Sequence, residues 1–93
     1  MGWKRSGANR VDANQKTIVT ALRKVGCRVY EIERPVDLLV EFRGSWCVLE
    51  VKNRDGRNRT TPGQDEFFEI TRAPAGIVYD AEDAIAFVSR LTV

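Results

Sequence analysis

The chain has 93 residues, 43% of them hydrophobic and 30% charged, the proportions of one small globular domain with a single core. Two cysteines and no histidine exclude Ser-His-Asp and Cys-His catalysis and argue against a four-ligand structural zinc. The net charge of +2 conceals an asymmetry: residues 1–60 carry 13 Lys and Arg against 7 Asp and Glu, and residues 61–93 carry 2 against 6, so the basic part is the one suited to a polyanion.

Residues 1–11, with Lys4, Arg5 and Arg10, are polar and basic and read as a flexible arm that touches phosphates or stays disordered; residues 12–93 read as one domain. A first helix is predicted over Asp12–Val25. Ile18, Val19, Leu22 and Val25 recur at the spacing of one face, Gly26 is a stop, and Asp12 with Gln15 forms a candidate capping box. Strands follow over Cys27–Glu33, Val36–Phe42 and Trp46–Lys52, with both cysteines in apolar contexts that suit buried, reduced thiols. The next segment, through Thr60, is a loop of turn formers with Arg54, Arg57 and Arg59 beside the strand end. Thr61 as N-cap, Pro62 at the first helical position and Gln64 at the third open a second helix to about Thr71. Gly76–Tyr79 is a short, continuously apolar run that suits a strand covered on both faces. Asp80 caps a third helix that turns Ala81, Ala84, Ile85, Val88 and Leu91 inward. The order α-β-β-β-α-β-α predicts an α/β domain, a mixed four-stranded sheet flanked by helices.

Three charges interrupt the apolar strands. With Arg43-Gly44 as the turn and Phe42 facing Ser45, Asp37 lies directly across from Glu50, their Cβ atoms roughly 4.5–5.5 Å apart. An odd-length loop would send Glu50 to the opposite face unless a bulge restored it. Lys52, two residues on, projects from the same face as Glu50. Two facing carboxylates repel, so a cation belongs between them. A divalent metal with oxygen ligands fits, and two acids, a lysine and a metal suit phosphodiester hydrolysis. The structural alternative is an ion pair of Lys52 with Glu50 or Asp37 on a solvated sheet face.

The segments Val36-Asp37-Leu38-Leu39-Val40 and Leu49-Glu50-Val51-Lys52, on this element order, resemble the PD-(D/E)xK nuclease superfamily. Asp12-Ala13-Asn14-Gln15 with Ile18-Val19, and Thr61-Pro62-Gly63-Gln64, extend the likeness to the VRR-NUC nucleases of phages and bacteria and the archaeal Holliday-junction resolvases. The resemblance covers about Asp12 to Leu91. It implies a restriction-endonuclease-like core and metal-dependent DNA cleavage, with branched DNA as one substrate class. It also implies residence in a bacterial or phage-infected cytoplasm, in keeping with the lack of any apolar run near the roughly 20 residues of a membrane span. Asp37, Glu50 and the Val51 carbonyl would hold Mg²⁺ or Mn²⁺. Lys52 would act on the water or the phosphorus, and Gln64 would orient water or phosphate, unless it serves only the capping box. Lys4, Arg5, Arg10, Arg54, Arg57 and Arg59 would grip backbone phosphates.

The chain departs from the family at three points. Gln15 occupies the slot of a metal-linked helix-one glutamate, which favours one metal over two. Pro35 precedes Asp37 by two residues instead of one. Phe67-Phe68 leaves one ring to pack on the sheet and one to point outward, which suits a homodimer. An inactive nucleic-acid-binding module on the same fold is the alternative function, and a small interaction subunit using the Phe67–Phe68 helix is a third.

Overall fold

The computed structural model describes residues 13–54 and 61–92. The elements run α1 (Ala13–Lys24), β1 (Arg28–Glu31), β2 (Leu38–Phe42), β3 (Ser45–Val51), α2 (Pro62–Ile70), β4 (Ala75–Val78) and α3 (Ala81–Ser89), with a final 3₁₀ turn over Arg90–Thr92. The predicted order holds, and the boundaries move by one or two residues. The expectations for the arm at residues 1–11, for Asp12 as a cap and for Arg57 and Arg59 lie outside the described residues.

Helix α1 ends in a Schellman motif. Cys27 N–H donates to Leu22 O and Gly26 N–H to Arg23 O, with Gly26 at φ 102°. Leu22 and Cys27 are both buried, giving the motif its apolar contact. The strands lie in the order β1-β2-β3-β4, antiparallel for the first two pairs and parallel between β3 and β4. The β2–β3 turn is Arg43-Gly44, both at positive φ (54° and 87°), the two-residue turn whose twist matches the strands. Phe42 pairs with Ser45 and Leu38 with Leu49, as the predicted register requires.

Alternation then sorts the sheet. Val29, Leu38, Val40, Cys47, Leu49 and Val78 turn inward and pack with Ile18, Val19 and Leu22 of α1 and Ala84 and Val88 of α3. Helices α1 and α3 therefore cover one face, and α2 contributes no fully buried residue. The prediction that β4 is covered on both faces fails. Val78 is 1% exposed but Ile77 is 41% exposed, because nothing among the described residues closes the outer face over this edge strand. No helix of the described residues is long and apolar enough to cross a membrane.

Candidate functional site

Asp37 stands one residue before β2, where Ile32 N–H donates to its carbonyl at 2.8 Å and closes the β1–β2 loop. Its side chain reaches across to β3 and accepts from Val51 N–H at 2.9 Å. Asp37 and Glu50 are the next residues beyond the last β2–β3 pair, Leu38 with Leu49, and their carboxyls interact, in keeping with the strand count. Burial pushes the Asp37 carboxyl up to about 6. The Val51 amide pulls the other way, and the Glu50 charge, together with a hydrogen bond that protonated Asp37 can give it, adds to the rise.

Glu50 and Lys52 are both buried and paired, Nζ to Oε2 at 3.1 Å. The structural alternative read from the sequence, an ion pair, is therefore present, but in the interior and not on a solvated face. The second Glu50 oxygen, Oε1, is buried and meets no donor among the described residues. A buried carboxylate oxygen without a partner carries a desolvation cost that a proton or cation at that point would relieve. The donor set here is all oxygen, the chemistry of Mg²⁺ and Mn²⁺ ligation. Asp37 and Glu50 are a pair only: no group of three or more His, Cys, Asp or Glu side chains comes together among the described residues.

Two residues that tie α1 to the sheet had not been singled out as site residues in the sequence. Asn14 donates to Lys52 O at 3.1 Å and to Tyr79 O at 3.0 Å, tying α1 to the ends of β3 and β4. Glu31, at the end of β1, receives the Gln15 amide at 3.0 Å. Gln15 is thus buried, with its amide donating to a β1 carboxylate. One signal was available: Asn14 and Gln15 continue the stripe of Ile18, Val19 and Leu22 one turn earlier, so both point toward the sheet.

The remaining candidates sit apart. Gln64 completes the capping box of α2, accepting from Thr61 N–H at 3.3 Å and donating its own N–H to Thr61 Oγ1 at 3.1 Å. It also lines, with Glu33, Arg34, Pro35 and Thr61, a groove of about 450 Å³ leading from the loop before Asp37. Arg54 is 63% exposed but bridges Asp80 and Asp83 at 3.1 and 3.2 Å and lies over the Tyr79 ring. Those acids lie at the start of α3, where Asp80 Oδ1 accepts from Asp83 N–H. Phe67 and Phe68 meet edge to face, centroids 5.4 Å apart, and both are half-buried. Cys27 and Cys47 are buried free thiols; burial raises both, Cys47 to about 12. No family model, curated protein or solved structure matches this chain.

Proposed function

We propose that this chain is a metal-dependent DNA endonuclease of the PD-(D/E)xK type, similar to the VRR-NUC nucleases and the Holliday-junction resolvases. One observation carries the reading: the buried Glu50 Oε1, without a hydrogen-bond partner among the described residues, stands beside the half-buried Asp37 carboxyl, with Lys52 two residues beyond Glu50. Asp37 and Glu50, with the Val51 carbonyl, would hold Mg²⁺ or Mn²⁺, which when bound polarises a phosphoryl oxygen and acidifies water. The chain's own groups do the rest. The Val51 amide fixes the Asp37 carboxylate, and Asn14 holds the backbone of Lys52. The Lys52 ammonium is aimed at charge developing on the phosphorus oxygens. Gln64 supports α2 beside the groove that would admit the strand, and the exposed edge of the Phe67–Phe68 pair would serve a homodimer.

Labelled duplex, single-stranded and four-way-junction DNA incubated with Mg²⁺ or Mn²⁺ tests the proposal. Cleavage should fall at least about 100-fold in Asp37→Ala and Lys52→Ala. No cleavage in either metal, or cleavage undiminished in those variants, rejects it. A second reading, a binding module without activity, is favoured by Gln15, an amide engaged with Glu31 where resolvases carry a metal-linked acid. It predicts salt-dependent DNA binding with no metal-dependent product.

A further inference from the structure

The outer sheet face carries a second feature that the carboxylate pair does not use. Tyr30 of β1 and Trp46 of β3 lean toward each other over β2, with ring centroids 6.3 Å apart and planes at 25°. They are 48% and 47% exposed, an unusual state for two large rings on a sheet of this size. Beneath and between them lie Leu39 and Val48, half-buried, so the rings form the top of the face. Arg28 projects from the same face with its side chain 74% exposed, beside Trp46's cross-strand partner Glu41. The neighbouring acid, Glu41, has both oxygens engaged, one by Gly44 N–H at 3.1 Å and one by Arg28 at 3.7 Å.

Alternation puts this pair and the candidate site on one surface. Trp46, Val48 and Glu50 project from the same side of β3, and Trp46 precedes Glu50 by roughly 13 Å along the strand. We propose that Tyr30 and Trp46 form a stacking platform for unpaired bases of a DNA strand whose backbone runs on along β3 toward Asp37, Glu50 and Lys52. Flat, exposed rings beside the exposed Arg28 match base stacking with a phosphate contact, the combination that holds single strands without reading sequence. This rests on the nuclease reading and narrows it: the preferred substrate has a single-stranded segment next to the scissile bond.

The experiment measures anisotropy of labelled single-stranded and duplex oligonucleotides of one length with Ca²⁺ in place of Mg²⁺, and cleavage of the same oligonucleotides with Mn²⁺. The proteins are wild type, Tyr30→Ala, Trp46→Ala, Trp46→Phe, the double alanine variant and Asp37→Ala. Each alanine should weaken single-strand binding roughly 10-fold, Trp46→Phe should retain most of it, and duplex binding should change less than about 3-fold. Both residues are half exposed, and circular dichroism of each variant confirms that the fold is kept. Equal losses on duplex and single strand, or no loss on either, overturn the platform. Wild-type protein that binds no single strand overturns it as well. Variants that change the sedimentation coefficient but not the affinity also overturn it, since the rings would then join two copies of the chain. Ring-dependent binding without Asp37-dependent cleavage supports the platform and removes the nuclease reading. Asp37-dependent cleavage with ring-independent binding does the reverse.

Discussion

Asp37 has its proton equilibrium set by burial. An acid whose pKa is higher folded than unfolded favours folding while protonated. Its stabilising contribution is full below about pH 4 and is lost as pH rises through about 6, the value to which burial pushes it. The metal-free protein should therefore lose stability between those limits relative to Asp37→Asn, in which the slope disappears; solvent screening of the half-buried group holds the loss to about 1–2 kcal/mol. Urea denaturation of both proteins across that range measures the difference. A divalent cation held by Asp37, as proposed, would compete with the same proton. Mn²⁺ should accordingly raise the melting temperature of the wild type more at about pH 7.5 than at about pH 5, and should not raise that of Asp37→Asn.

Two local devices decide how well the elements are formed. The β2–β3 turn asks Arg43 to sit at φ 54°, where Asn is far better suited. Arg43→Asn creates the preferred Asn-Gly pair and should stabilise the protein by about 0.5–1 kcal/mol, read from the denaturation midpoint at unchanged m-value. Helix α2 has no fully buried residue, so its Thr61–Gln64 capping box matters more than usual. Gln64 has two candidate roles, and substitution separates them. Gln64→Ala should cost about 0.5–1 kcal/mol, whereas Gln64→Glu keeps the box. If nuclease activity survives in Gln64→Glu and falls only with stability in Gln64→Ala, the residue is a cap. A loss of turnover in Gln64→Glu without loss of stability assigns it to the reaction.

The whole molecule is an inner layer of α1 and α3 on a four-stranded sheet whose other face is open at Tyr30, Trp46 and Ile77 and buried at Glu50 and Lys52. Asn14 links helix to sheet next to the site, donating to the last backbone carbonyls around β3 and β4. Asn14→Ala strands two acceptors and should cost about 1–3 kcal/mol, with cleavage reduced further than the unfolded fraction explains, because Lys52 loses its anchor. Thermal denaturation followed by assay well below the midpoint tests both parts.

The apolar stripe of α1, the Gly26 stop, the Thr61 and Asp80 caps and the Arg43-Gly44 turn were all legible in the chain, because each depends on residues a few positions apart. The register that sets Asp37 against Glu50 was legible for the same reason, since a two-residue turn and strict alternation carry it. Four features needed tertiary structure: the burial of the Glu50–Lys52 pair, a Glu50 Oε1 without a partner among the described residues, the Gln15–Glu31 contact and the exposure of Ile77, Tyr30 and Trp46. These depend on which surfaces the helices cover and on contacts between residues distant in the chain. Local spacing determines which residues share a face. Only packing decides which face is dry, and therefore which charges are costly to bury.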